Sequence, residues 1–493
     1  CVKMYTLFTM EYCFWYFTIA VFSIYCLLSW QRRPKNFPPG PRGFPVLGIV
    51  PYFGKYPEKV LSKFADQYES RVMSFRMGRM DWIVLNDIET ITQALVKQGE
   101  DFAGRPKSPL FDMLTNGCGI VFVDGEKWKA QRKFGIMTLR SLGMGRGSLD
   151  DIMNYEFEVL CHFLSSGGSQ ENVMTLFRKA VTNVTCSVLM GKRYDYDDPV
   201  LNNITEHIRY VIIRRPSKTV VMYSPILRFI PPFRWTYKKI VNSIEQVTGV
   251  IRNISEMHKQ DFDSSTKRDF VDHFIAEMNK EGEYFTDEQL HHYTRDLLVA
   301  AINTTTAAFG WCVVSLLRHP ECQEKIWQEV DKVIAGNETP SCKHQENMPY
   351  MRSFIQEIHR HRSIATLNLP HRTVRSVRLC GYDIPKDTPV LTNIWRVHNN
   401  QNVWKNPHEF RPDRHLDSNG NFVSSNNVIP FACGYRRCLG EQIAKAEIFL
   451  FIVNIVKRFH LVVDQVTGPP TLEKDPKGAV NTPAPFRFSV RAR

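Results

Sequence analysis

No two of the twelve cysteines stand three residues apart. The missing CxxC spacing removes a zinc ribbon and a thioredoxin-type redox pair. At 493 residues the chain is long enough to bury its own core. A disulfide framework is therefore unnecessary, and most thiols read as small buried hydrophobes in a reducing compartment. Zinc-finger, RNP and basic helix-turn-helix patterns are also lacking, which sets nucleic acid aside as a partner. Flavin and nicotinamide fingerprints are lacking too. If the chain handles electrons, another protein delivers them. No internal repeat, low-complexity block or Pro/Gly-rich linker interrupts residues 55–493, so residues 49–493 read as one domain.

What the chain does have is positive charge. Sixty-three Lys and Arg against fifty Asp and Glu leave +13, which points to an anionic lipid surface or an acidic protein partner. A lipid surface has a second signal. Residues 12–31, YCFWYFTIAVFSIYCLLSWQ, hold no charge over twenty positions, enough to cross a hydrocarbon core of roughly 30 Å as a helix. Trp30 stands where an interfacial aromatic belongs, and Arg32, Arg33 and Lys35 follow at once. That pattern puts the rest of the chain on the cytoplasmic side. A cleaved signal peptide is the rival, but the stretch is long for one and no small-x-small site follows it. Residues 1–31 are expected to form an N-terminal membrane anchor helix. Residues 32–48 follow as a basic, proline-rich hinge, where Pro38, Pro39 and Pro41 forbid a helix and favour a stiff extended connector.

Beyond the hinge the apolar spacing is mostly helical, with short strand-like stretches at 71–78, 81–87, 377–393 and 486–493. The longest helical pattern, residues 288–318, is apolar nearly all round and ends before Pro320. It is expected to run buried through the middle of the protein. The stretch FACGYRRCLG, residues 431–440, breaks the pattern with two glycines, two arginines and two cysteines. Residues 439–459 then read as a helix. Cys438 therefore stands at a helix start, where free backbone N–H groups, Arg436 and Arg437 favour a thiolate. Gly434 and Gly440 allow a tight loop and the close approach of a flat object. Such a thiolate is a nucleophile or a metal ligand. No histidine is near in sequence to serve as a base, and only Cys433 is near enough to join a zinc site. A single axial thiolate under a large planar cofactor, a haem, fits the pattern best.

Phe431, Gly434, Arg436, Cys438 and Gly440 reproduce F-x-x-G-x-R-x-C-x-G, which resembles the haem-binding loop of the cytochrome P450 monooxygenases. Glu357 and Arg360 in EIHR, and Pro407, Phe410, Pro412 and Arg414 in PHEFRPDR, resemble the family's E-x-x-R and P-x-x-F-x-P-x-R motifs. WKAQR, with Trp128 and Arg132, resembles its W-x-x-x-R helix. PPGPRGFPVLG, LNLPHRT and IPKDTPVLTNIWRVH are most similar to the microsomal family-2 branch, and the likeness covers nearly the whole chain from the anchor on. The resemblance implies a mainly α fold: a large helical domain with a smaller β-rich part. It implies a haem b buried between the long distal helix and the cysteine-loop helix. Cys438 would be the axial thiolate, within a loop shaped by Phe431, Gly434 and Gly440. Arg105, Trp128, Arg132, His371 and Arg436 would bind the haem propionates. Glu357, Arg360 and Arg414 would form a buried salt-bridge triad behind the haem. The implied reaction inserts one oxygen atom from O2 into an apolar small molecule, such as a fatty acid, steroid or xenobiotic. Electrons would come from NADPH through a flavoprotein reductase, with cytochrome b5 as a further donor. The implied location is the endoplasmic reticulum membrane, with the catalytic domain cytoplasmic.

The long helix departs from the family. In place of A-G-x-D/E-T-T it reads AAINTT from residue 300. Thr304 is the expected alcohol, but Ala301 replaces the glycine and Asn303 the acid. Oxygen activation consumes two protons, and an amide has no carboxyl proton to relay. Three outcomes are open: another water chain supplies the protons, the enzyme is slow and leaks peroxide, or it uses a peroxide substrate as an isomerase or dehydratase. A non-catalytic haem sensor or carrier is a further alternative. Substrate contacts are expected from Leu297, Ala300, Ala301, Ala365, Leu369 and Val480, which suit an apolar ligand. Residues 220–233, VVMYSPILRFIPPF, either dip into the bilayer as an entry collar or form a core loop. Lys129, Lys133, Arg437 and Lys445 flank the thiolate side and would offer a basic docking surface to an acidic reductase.

Overall fold

The computed structural model describes residues 15–18, 21, 33–45, 47–78, 80–107, 112, 115–142, 147–166, 173–213, 218, 221, 225–280, 282–478 and 480–493. The expected anchor lies outside the described residues apart from 15–18 and 21. Parts of the 220–233 stretch and of the segment after Arg105 also lie outside them.

A small sheet comes first. Helix α1 (Pro57–Gln67) begins on a proline, whose missing N–H costs nothing in a first turn. It leads into the antiparallel strands β1 (Val72–Met77) and β2 (Met80–Leu85), paired Val72 to Leu85. Both faces of this hairpin are covered. Val72, Ile83 and Leu85 pack with Phe102 on one side. Met73, Phe75, Trp82 and Val84 pack with Leu61 of α1 on the other.

The helical body follows as α2 (Gly125–Ser141), α3 (Gly147–Ser165), α4 (Val173–Met190), α5 (Pro199–Ile212), α6 (Phe233–Gln260), α7 (Phe270–Met278), α8 (Asp287–Arg318), α9 (Pro320–Val333) and α10 (Pro349–Arg362). Strands β3 (His371–Arg372), β4 (Val377–Leu379), β5 (Tyr382–Ile384) and β6 (Pro389–Thr392) come next. Strand β6 joins β2 in parallel and β3 antiparallel, giving the order β1-β2-β6-β3. Helix α11 (Glu441–Arg458) leads into β7 (Phe459–Val463), which pairs with β8 (Phe488–Ala492).

Helix α8 is the central pillar. The Thr286 side chain caps it, accepting from the Gln289 N–H at 3.2 Å, and Asp287 and Glu288 sit in the first turn against the helix dipole. Pro320 lies just past its end. Phe309 meets Phe177 of α4 at 4.6 Å and Phe451 of α11 at 5.1 Å between ring centroids, so the helix is clamped from two sides. Among the described residues it is the one helix long and apolar enough to cross a membrane, and most of its apolar stretch is buried inside the protein. It is a core helix, as the sequence pattern indicates.

The mainly α fold with a smaller β part holds. One strand escaped the sequence reading. The helical pattern carries on to Phe459, but α11 stops at Arg458, and Phe459 turns extended (φ −133°, ψ 145°) to start β7. No glycine or proline marks the change. The partner strand, β8, lies some thirty residues further on.

Candidate active site

The cysteine loop folds back on itself. The Cys438 N–H donates to the Phe431 carbonyl at 3.0 Å, and the Arg437 N–H to that of Gly434 at 3.1 Å. Gly434 has φ +74°, and a Cβ there would stand 1.7 Å from the Leu95 carbonyl oxygen. No side chain fits. Gly440 differs: its φ is −91°, and no protein atom lies within 4 Å of where its Cβ would be. The Cys438 side chain is accessible, yet protein crowds it enough to desolvate it. Burial, and after it the Glu441 charge, raises the Cys438 thiol above its ordinary range; the Gly440 N–H and the Arg132 and Arg437 charges offset only part of this. The helix start and the flanking arginines do favour the thiolate, as their place in the sequence indicates, but they do not outweigh burial by themselves. Desolvation of the anion outweighs them, and a metal cation on the sulfur is what would hold it deprotonated.

Beside this sulfur lies a cluster of guanidinium groups. Arg436 sits over the Trp128 ring, 3.9 Å from its centroid. Its Nε donates to the Ala103 carbonyl at 2.7 Å and its Nη2 to that of Val123 at 2.6 Å. Its Nη1 is buried without a partner. Arg105 donates from Nε to the Val121 carbonyl at 3.1 Å and from Nη1 to that of Pro370 at 2.8 Å. Arg132, one turn after Trp128 on α2, donates from Nη2 to the Arg437 carbonyl at 2.7 Å. His371 places Nδ1 3.0 Å from the Phe102 carbonyl. Burial, then the Arg105 charge, pushes His371 down to about 3, so it is neutral. Burial and the neighbouring Arg105 push Arg436 down to about 8, and burial and Arg132 push Arg105 down to about 10. A guanidinium does not give up its proton inside a protein. The Asp124 carboxylate, 2.9 Å from Arg436 Nη2, answers part of this positive charge and leaves Nη1 unmet. Carboxylates of a bound cofactor, reached by the orphan Nη1 of Arg436, would meet it.

Helix α8 carries the next group of candidate residues. From residue 302 to 317 every side chain is buried except Thr304. Leu297, Ala300, Ala301 and Thr304 form one accessible stripe at helical spacing. Tyr293 lies on the same face, and Gly135 of α2 packs against both Tyr293 and Leu439. The stripe therefore runs on from where α8 meets the cysteine loop. Thr304 Oγ1 donates to the Ala300 carbonyl at 2.6 Å. Asn303 is buried, and its Nδ2 has no partner. The Leu369 carbonyl accepts from Arg105 Nη1 at 3.2 Å, while Ala365 is half-buried. Val480 packs against the main core. Its neighbour Asn481 donates its N–H to the Ile364 carbonyl at 2.9 Å and accepts from Trp311 of α8 at 2.7 Å.

Behind the loop, Glu357 receives two hydrogen bonds from Arg360 and one from Arg414 Nε at 3.0 Å. A fourth member was not read from the sequence: His415 Nε2 lies 3.0 Å from Glu357 Oε2. Asp296 was also missed. Its carboxylate accepts the N–H groups of Ile120 and Val121 at 2.9 and 3.0 Å, while Gln289 exchanges two hydrogen bonds with the Gly119 backbone. Together they seal the 116–121 segment against α8. An acid placed directly before the apolar run that starts at Leu297 was the available signal. The basic rim is weaker than its sequence suggests. Lys129 pairs with Glu126, and Arg437 and Lys445 share Glu441; Lys133 is exposed. Away from this site, Ile226, Phe229 and Ile230 are exposed beside Trp235 of α6.

Residues 38–490 match the family model described as Cytochrome P450. The chain is 30% identical to cytochrome P450 2U1 of Homo sapiens over 96% of this chain and 93% of that protein. It is 32% identical to cytochrome P450 2H2 of Gallus gallus over 96% and 97%, and 33% identical to cytochrome P450 2C16 of Oryctolagus cuniculus over 90% and 92%. With a match that starts in the proline-rich hinge and ends inside the last strand, the chain belongs to the cytochrome P450 family and is a haem-thiolate monooxygenase.

Proposed function

We propose that this monooxygenase oxidises an apolar small molecule, such as a fatty acid, steroid or xenobiotic, at the endoplasmic reticulum membrane, with Cys438 as its haem ligand. The observation that carries the assignment is the accessible, desolvated Cys438 sulfur beside an arginine cluster in which Arg436 keeps a buried, unpartnered Nη1. Haem, when bound, supplies the activation of O2, and a thiolate ligand favours O–O cleavage.

The chain's own residues do the rest. Arg105, Arg132, His371 and Arg436 hold the carboxylates at the haem edge, with Trp128 as the plate on which Arg436 rests. Glu357, Arg360 and Arg414 brace the segment that leads into the loop. Thr304 commits its proton to the Ala300 carbonyl, which leaves its oxygen lone pairs to accept from a water. Asn303, through its unpartnered Nδ2, orients a second water but has no proton of its own to give. Protons therefore arrive along water and not from a carboxyl. Leu297, Ala300, Ala301, Ala365, Leu369 and Val480 present an apolar wall that selects lipophilic substrates and excludes water.

Residues 1–31 serve as a single membrane anchor, residues 32–48 as the hinge and residues 49–493 as a cytoplasmic catalytic domain. The exposed Ile226, Phe229, Ile230 and Trp235 support a lipid-facing collar. Electrons come from NADPH through a flavoprotein reductase, and from cytochrome b5, docking over Lys133 and the paired cations around it. Asn303 also supports a second reading, a peroxide-using isomerase or dehydratase that needs no proton relay.

The test is a carbon monoxide difference spectrum of the reduced protein before and after Cys438→Ser. A strongly red-shifted Soret band that disappears in the variant is expected. A nitrogen-type band in the wild type, or no band, removes Cys438 as the ligand. Turnover with reductase, NADPH and O2, compared with turnover on a lipid hydroperoxide alone, then separates the two readings.

A further inference from the structure

Asp124 immediately precedes α2, in the extended conformation of a helix-capping residue (φ −120°, ψ 174°), yet its carboxylate makes no capping hydrogen bond. An aspartate there ordinarily accepts an N–H of its own first turn. Here it is turned away. Oδ1 accepts the Arg105 N–H at 2.8 Å and Arg436 Nη2 at 2.9 Å, and Oδ2 accepts Arg372 Nη2 at 2.6 Å. Arg372 in turn donates from Nε to the Arg105 carbonyl at 2.8 Å, and the 104 and 372 backbones form a bridge. One carboxylate thus ties together the start of α2, the 103–105 segment, β3 and the cysteine loop. With Nε on Ala103, and with Nη2 on Val123 and Asp124, Arg436 has a single nitrogen left over, the buried Nη1.

We propose that Asp124 is a positioning residue for the haem edge. It locks the Arg436 guanidinium flat on Trp128 so that Nη1 is the free donor to a haem carboxylate, and it balances the charge of the arginines around it. This rests on the proposed haem site. The helix cap is given up for that purpose, which separates the role from ordinary stabilisation of α2.

Two variants test it. Asp124→Ser restores a capping residue and removes the carboxylate; Asp124→Asn keeps an acceptor for the Arg105 N–H and removes the charge. Haem transfer from each full-length holoprotein to apomyoglobin is expected to be about tenfold faster than from wild type, the equivalent of one charge-assisted hydrogen bond. The midpoint potential is expected to move upward, because removing a negative charge beside the haem favours the reduced state. Should Asp124→Ser fail to load haem, Asp124→Asn carries the test. Unchanged release, or a potential that stays put, overturns the role. A wild type whose carbon monoxide spectrum lacks the thiolate band overturns the haem site with it. A wild type that has the band, with variants indistinguishable from it, overturns Asp124 alone.

Discussion

Arg360 meets Glu357 with two parallel hydrogen bonds, Nε to Oε2 at 2.7 Å and Nη2 to Oε1 at 2.8 Å, and neither side chain has any exposed surface. The pair lies three residues apart on α10, but its reach is long. Arg360 Nη1 also donates to the carbonyls of His398 and Pro407, at 2.9 and 2.8 Å. Glu357 additionally accepts the Arg411 N–H at 3.0 Å. The segment from 398 to 415, which feeds the cysteine loop, is pinned to α10 through these two side chains.

Glu357→Ala strands Arg360 and Arg414 as buried, unbalanced charges. It is expected to cost about 3–5 kcal/mol and to be read as a lower denaturant midpoint and little haem-loaded protein. The same pair predicts acid lability. Burial alone would raise the Glu357 carboxyl, but hydrogen bonds from Arg360 and His415 and the Arg360 charge win, and it falls to about 2. A carboxyl depressed on folding contributes stability in full above its unfolded value of about 4.3. That contribution is lost as pH falls from there toward 2. Acid unfolding followed at the Soret band should show this loss, and Glu357→Gln should flatten it.

Thr304→Ala removes the one accessible hydroxyl on the α8 stripe. More peroxide should be released per NADPH consumed, with substrate affinity nearly unchanged. Asn303→Asp supplies the missing acid and should lower peroxide release below wild type. An unchanged ratio in Asn303→Asp would mean that protons reach the site by a path that bypasses residue 303.

Ala432 holds φ +58° inside the cysteine loop. A left-handed alanine costs about 1–2 kcal/mol, and glycine gives back roughly 0.5–1 kcal/mol of this as chain entropy. Ala432→Gly should therefore stabilise the holoprotein slightly, seen as a small rise in Tm with the carbon monoxide spectrum unaltered. A fall in Tm would show that the loop gains nothing from the relief.

Asp296→Ala leaves the N–H groups of Ile120 and Val121 without their acceptor. Each unmade bond costs about 1–3 kcal/mol, and the 116–121 segment should part from α8. Faster proteolytic nicking within that segment and weaker substrate-induced spectral shifts are the expected readouts. Asp296→Asn, which keeps one acceptor oxygen, should lie between.

What the sequence determined by itself was local in the chain. The cysteine loop and the long α8 are patterns within a few turns or a short loop, and elementary sterics and periodicity make them legible; the Glu357–Arg360 and Trp128–Arg132 pairs are legible only through the resemblance to the family's motifs. Gly434 stands on both sides: its tight turn is local, but the Leu95 carbonyl 1.7 Å from where its Cβ would sit comes from far along the chain. What only the tertiary structure decided depends on groups far apart in sequence. Asp124 and Arg436 are separated by 312 residues, and nothing near either one predicts that the helix cap is surrendered to the arginines. His415 joins Glu357 across 58 residues, and β7 exists only because β8 returns to pair with it. The Cys438 thiol moves up although the Gly440 N–H and two arginines favour the thiolate, because desolvation sums over every atom that crowds the sulfur. Periodicity is a property of neighbours along the chain; burial and pairing are properties of neighbours in space.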